Sequence, residues 1–297
     1  MSRPAALPPD RLEVLERIRT YEARGGEWFF QDVENDPPAK TLHPEDVDYL
    51  HETAKFRLNG WLARLIEAVC QAVCRRKYAI TVLGGEHLSG LPGGAVLTSN
   101  HFAVTENLAV RAAAKSAPGR HRMYKLVREG NYCMPGVIGW LLRYADTLPL
   151  SSCVTTMKLL DRAVTRILQN GDFLLVYPEQ AMWWYYPKPR PYRIGAFRYA
   201  AKNGVPVVPC FVTLSAKKPE KPLRPDNVRY TVHVCPPIYP HPGGSVREEA
   251  ERMREENFRA CRSVYEEVYR RPLCYGDGET VFSPGWSNST GSRMEEN

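Results

Sequence analysis

Several things this 297-residue chain lacks narrow its function first. Its eight cysteines, Cys70, Cys74, Cys133, Cys153, Cys210, Cys235, Cys261 and Cys274, include no Cys-x-x-Cys pair and no regular spacing. That argues against a zinc site and against a disulfide framework, so reduced, mostly buried thiols are expected, with no metal and no cofactor. No apolar run is long enough to cross a bilayer. The start, Met1-Ser2-Arg3-Pro4 leading into Asp10-Arg11-Leu12-Glu13, lacks the apolar stretch of a signal peptide, so a cytoplasmic location is expected. No Gly-x-Ser-x-Gly elbow occurs, which argues against an acyl-enzyme route through serine. The formal charge of +7 is scattered. Without a basic run beside aromatics, or a finger, RNP or helix-turn-helix pattern, nucleic acid is not an expected partner; anionic lipid or phosphorylated substrates suit the excess better.

What is present reads as one enzyme-sized α/β unit with helical additions. Residues 8 to 24 and 44 to 58 read as helices joined by a Pro-containing loop. From Leu58 to Cys74, apolar residues Leu58, Trp61, Leu62, Leu65, Ile66, Val69, Cys70, Val73 and Cys74 recur at helical period opposite Arg64, Glu67 and Gln71, and Arg75-Arg76-Lys77 follow. Two readings fit: a helix packed on the core, the commoner case, or an interfacial helix lying on a bilayer with its basic end on anionic lipid. Residues 1 to 77 thus form an N-terminal helical region, with 58 to 77 as the candidate interface helix. From residue 78 to about 240 strand and helix alternate: strands at 78 to 82, 95 to 99, 123 to 127, 173 to 177, 205 to 214 and 229 to 235, and helices at 106 to 115, after Ser151-Ser152, and at 195 to 203. That order predicts a mixed, mostly parallel sheet flanked by helices. Residues 241 to 275 carry a charged helix, and 276 to 297 read as a disordered tail.

Within the alternating region, Asn100-His101-Phe102-Ala103-Val104-Thr105-Glu106 follows the apolar strand directly. An imidazole with a carboxylate five residues on has the parts of a general base, because the carboxylate fixes the ring's tautomer and orientation. The spacing recurs at His43 and Asp48, but there the histidine runs into Pro44-Glu45-Asp46, an acidic helix start. His101 instead sits at a strand end, where α/β sheets bind ligands. A second strand ends in Tyr177-Pro178-Glu179-Gln180-Ala181-Met182-Trp183-Trp184, and further on stands Val205-Pro206-Val207-Val208-Pro209. Its prolines are expected at strand ends or beside an edge.

Taken in order, these blocks resemble the lysophosphatidic acid acyltransferase family of glycerolipid acyltransferases over roughly residues 80 to 240. Asn100-His101 with Glu106 resembles the Asn-His-x4-Asp block, with Glu in the Asp place. Asp146-Thr147-Leu148-Pro149-Leu150 is faintly similar to the second block. Tyr177-Pro178-Glu179 is similar to the start of Phe-Pro-Glu-Gly-Thr-Arg, from which Gln180, Ala181 and Met182 then depart. Val205 to Pro209 matches the Val-Pro-Ile-Val-Pro block. The resemblance implies transfer of a fatty acyl group from acyl-CoA or acyl carrier protein to a hydroxyl of a lysophospholipid-like acceptor at a membrane surface, on its cytoplasmic face. His101 would be the base and Glu106 its partner, with Asn100, Glu179 and Gln180 among the substrate-binding residues. The family's phosphate-associated arginine is missing, and Lys188, Arg190 and Arg193 are the expected substitutes; a solvated basic loop is the other reading. Trp183, Trp184, Tyr185 and Tyr186 would line an acyl tunnel, rest at a membrane interface, or pack under a loop. A non-catalytic lipid-binding or scaffold protein, or acylation of a non-phosphate acceptor, stands as the alternative.

Overall fold

Ala95–Thr98 and Phe173–Val176 are buried along their whole length, the mark of strands covered on both faces, and they pair in parallel at the middle of a seven-stranded sheet. The computed structural model describes residues 8–35, 40–119, 121–221, 223–276 and 281–282. Its strands are β1 (Thr81–Leu83), β2 (Ala95–Thr98), β3 (Met123–Val127), β4 (Thr147–Pro149), β5 (Phe173–Val176), β6 (Val207–Ala216) and β7 (Val228–Val234). Its helices are α1 (Pro9–Arg24), α2 (Ala54–Lys77), α3 (Glu86–Ser89), α4 (Glu106–Ala114), α5 (Glu129–Tyr132), α6 (Gly136–Tyr144), α7 (Val154–Gln169), α8 (Gly195–Asn203) and α9 (Val246–Tyr269). The strand order is β1-β7-β6-β2-β5-β3-β4, and only β6 with β7 is antiparallel. The protein is therefore an α/β fold with a mixed, mostly parallel sheet between helices.

The period-2 pattern of the strands divides the core. Ala95 and Leu97 of β2 and Phe173 and Leu175 of β5 pack with α4 residues Leu108, Ala109 and Ala113 on one face. Val96, Leu174 and Val176 face the other way, toward α7, α8 and α9. The chain leaves β2 through α4 for β3 and later returns through α7 to β5, which lies between β2 and β3. That reversal opens a crevice at the carboxyl ends of β2 and β5, the place where open α/β sheets take ligands.

Three expectations are corrected. Residues 44 to 58 do not form one helix: Pro44–Asp46 is a single 3-10 turn, and α2 starts at Ala54, where the Thr53 hydroxyl accepts from Phe56 N–H at 3.4 Å. Pro209 is not at a strand end but inside the central strand β6. There Val207 N–H reaches Ile238 O at 2.9 Å and Pro209 O accepts from Cys235 N–H at 2.9 Å, so the missing donor falls where the chain departs from β7. The third concerns α2, which does not hide its apolar stripe. Leu58 and Trp61 are 69% and 61% exposed, with Leu62, Leu65, Val69 and Val73 also outside, while Gly60, Ala63, Glu67, Gln71 and Cys74 face the protein. The buried carboxylate Glu67 is taken in by ion pairs to Arg111 and Lys125. Of the 276 to 297 tail, Val281 is buried and Phe282 packs on Trp184 with ring centroids 5.0 Å apart; residues 277–280 and 283–297 lie outside the described residues.

Candidate active site

Past Thr98 the chain is steered by a side-chain amide. Asn100 Oδ1 accepts from Val212 N–H at 2.8 Å and its Nδ2 donates to Val212 O at 3.0 Å, so Asn100, itself buried, ties the exit of β2 to β6 as a strand neighbour would. The amide oxygen and one of its two N–H groups are thereby engaged within the protein.

His101 is held by its main chain on both sides. Its N–H donates to Glu179 Oε2 at 3.1 Å, its carbonyl accepts from Trp183 N–H at 3.0 Å, and Phe102 O accepts from Tyr185 N–H at 2.9 Å. The loop after β5 therefore clamps the segment that presents the imidazole. Glu106, the first residue of α4, is fully buried at a helix start, where the peptide dipoles favour a carboxylate. Its Oε1 lies 2.5 Å from His101 Nδ1. A carboxylate there holds the hydrogen on Nδ1 and leaves the lone pair on Nε2. Nε2 has no hydrogen-bond partner among the described residues, and the side chain is 21% exposed, enough for contact with a bound molecule. The extra methylene of Glu over Asp is accommodated without lengthening the pair. Asp48, by contrast, accepts from Glu52 N–H and from Thr53 N–H and hydroxyl, so the His43–Asp48 spacing builds no dyad.

Tyr177, which stands where the resembled block has Phe, takes part in the site although its residue type alone does not point to a role. Its ring lies flat on the imidazole, with centroids 4.0 Å apart and planes at 12°. The phenol oxygen and Glu106 Oε2 are both buried. Burial first, then the negative charge of Glu106 and hydrogen bonding to its carboxylate, hold the phenol's pKa well above its ordinary value. Tyr177 is thus a neutral plate behind the imidazole.

Glu179 is an interior anchor. Besides His101 N–H it accepts Arg190 N–H at 2.9 Å and Arg190 Nη2 at 3.0 Å. Arg190 also donates to Phe29 O at 2.7 Å and is fully buried against the Trp183 ring. Lys188, equally buried, reaches Glu22 of α1 at 2.7 Å. Arg193 pairs with Glu27 and lies 3.7 Å over the Phe30 ring. The three cations expected to meet a phosphate are instead drawn toward the N-terminal segment, and for Lys188 and Arg190 the solvated-loop reading fails too. The same segment explains most of the aromatic run, while Tyr185 turns to the sheet, its hydroxyl 3.1 Å from that of Tyr230 on β7. Trp183 and Tyr186 form a core with Val14, Leu15, Ile18, Phe29 and Val33, and Trp183 Nε1 donates to Gln31 O at 2.9 Å. Packing under a loop is what most of the run does. Gln180 is exposed and stands at φ 64°, a left-handed conformation that the glycine of the resembled block would adopt more easily. Among the described residues no group of three or more His, Cys, Asp or Glu is placed to hold a metal ion.

Comparison with known proteins agrees with this geometry at the level of family. Residues 79–213, somewhat under half of the chain, match the protein-family model described as Acyltransferase. The chain thus carries an acyltransferase-family domain, and that domain contains β2, β5, the His101–Glu106 pair and Glu179. Curated protein sequences give no match. Among solved structures, the 1-acyl-sn-glycerophosphate (LPA) acyltransferase PlsC from Thermotoga maritima is similar at 18% identity, over 90% of this chain and 86% of that one, with a TM-score of 0.45.

Proposed function

We propose that this protein moves a fatty acyl group from an acyl thioester, acyl-CoA or acyl carrier protein, to a hydroxyl of a lysophospholipid-like acceptor, working peripherally at the cytoplasmic face of a membrane. The observation that carries the reading is the open Nε2 of His101, produced by the 2.5 Å contact of Nδ1 with a fully buried Glu106. The acceptor hydroxyl gives its proton to Nε2 as its oxygen attacks the thioester carbonyl. Glu106 balances the imidazolium that forms, and Tyr177 keeps the ring in plane. Collapse of the tetrahedral intermediate expels the thiolate, which takes the proton back, giving ester and free thiol. A positioned base of this kind contributes roughly two to four powers of ten. No nucleophile from the protein is required.

The outward stripe of α2 supports the membrane part. Six apolar side chains including Trp61 face solvent, and Arg75, Arg76 and Lys77 close the helix, a composition suited to an anionic lipid surface. No helix among the described residues is long and apolar enough to cross a membrane. One observation favours a non-catalytic lipid-binding protein on the same fold: Lys188 and Arg190 are turned inward. An acceptor screen, with acyl-CoA and acylated carrier protein as donors and mass-spectrometric product detection, decides between the two. A new ester with stoichiometric thiol supports the transferase, whereas vesicle binding with no product across the screen supports the binder.

A further inference from the structure

A half-open pocket of about 170 Å³ lies between α2, the end of α4 and the start of β3, lined by Arg64, Arg111, Lys115, Arg122 and Asp146 among others. It is distinct from the His101 crevice. Glu106 opens α4 and the pocket adjoins its other end, so the two are about 13 Å apart at the rise of an α-helix. Charge in and behind the pocket wall does not close. Arg64 and Arg122 share the single carboxylate Asp146. Arg111 shares Glu67 with Lys125. Asp172 accepts the main-chain N–H of Arg122 at 2.8 Å, and Lys115 has no ion-pair partner among the described residues. Five cations thus face three carboxylates. The Arg122 Nε hydrogen is also buried without an acceptor, although buried donors are rarely left so. Burial first, and then repulsion from Arg111 and Arg75, draws the Lys115 ammonium below its ordinary pKa. Arg64 stands on the flank of α2, between its outward apolar stripe and its buried face.

We infer that this pocket is a binding site for a phosphomonoester-type dianion. Two negative charges neutralise the surplus, and planar guanidinium groups match phosphate oxygens. A phosphomonoester lipid headgroup and a soluble phosphate share this chemistry. With a lipid, the flank of α2 would meet headgroups while its stripe meets acyl chains.

The test titrates the full-length protein with inorganic phosphate against chloride at equal ionic strength. It also measures co-sedimentation with phosphatidylcholine vesicles containing either phosphatidic acid or the phosphodiester lipid phosphatidylglycerol. The variants are Lys115→Gln and Arg64→Gln, with His101→Ala as the control that leaves this pocket intact. The proposal expects saturable phosphate binding, or a preference for phosphatidic acid over phosphatidylglycerol, weakened at least tenfold in Lys115→Gln and Arg64→Gln at unchanged unliganded Tm, and unaltered in His101→Ala. Preference for the vesicles alone identifies a headgroup, and phosphate binding without vesicle preference identifies a soluble ligand. Neither effect in the wild type, or either effect undiminished in both variants, overturns the proposal.

Discussion

At His101 the general-base pattern was legible as a spacing, and its context at a strand end separated it from His43 and Asp48. What could not be read were the partners that hold the segment from behind, because Trp183 and Tyr185 reach it through main-chain bonds that leave no signature in residue type. The inward turn of Lys188 and Arg190 was hidden for a related reason: their carboxylate partners Glu22 and Glu179 lie 166 and 11 residues away. Removing the Arg190 side chain leaves Glu179 buried without its cation, so Arg190→Ala should destabilise the fold by about 3–5 kcal/mol. For the more exposed Arg193–Glu27 pair, Arg193→Gln should change stability far less. Urea unfolding of the two variants reads the contrast. Tyr177→Phe keeps the stacked ring and removes the phenol that hydrogen-bonds toward the buried Glu106 carboxylate. Stability should therefore fall by about 1–3 kcal/mol while turnover persists, whereas Tyr177→Ala should also lower kcat on the order of tenfold to a hundredfold by freeing the imidazole.

The central strands were read nearly to the residue, since β2 and β5 are short apolar runs between turn residues and each is buried on both faces. α2 shows the limit of periodicity. The stripe was plain in the sequence, but its direction depended on distant residues, Arg111 and Lys125, that make a home for Glu67 on the opposite face. Trp61→Ser with Leu65→Ser should therefore shift folding stability by no more than about 1 kcal/mol, as surface changes do, and should weaken vesicle co-sedimentation. Were the stripe core, the pair would lose several kcal/mol. Neutralising Arg75, Arg76 and Lys77 should weaken vesicle binding further in the presence of anionic lipid. The entry to β2 is tighter. A Cβ on Gly94 would stand 2.2 Å from Leu168 O and 2.9 Å from Asp172 O, so Gly94→Ala should cost about 1–3 kcal/mol and disturb β2 against β5, the pair that carries both halves of the site.

Across the whole molecule, the resemblance seen from residue 80 onward and the alternation of strand and helix gave the architecture. The contribution of the N-terminal segment was not legible, because α1 and the turn after it pack on the loop after β5 from more than 150 positions away. Stability of the assembled fold should depend on pH through two histidines. Burial lowers the pKa of His51 and of His233. Between the folded and unfolded values the unfolded chain therefore binds more protons, and stability rises with pH there. It is fully present above about pH 6.5, the ordinary imidazole value, and is lost as pH falls below it; Tm measured from pH 7.5 down to 5.5 should decline accordingly. The central claim is the base at Nε2 of His101. Acceptor-dependent release of free thiol from an acyl thioester, measured for wild type and for folded His101→Ala, tests it most directly. Wild-type release that falls by at least about a hundredfold in His101→Ala is the predicted result, and equal turnover by the two proteins would contradict it.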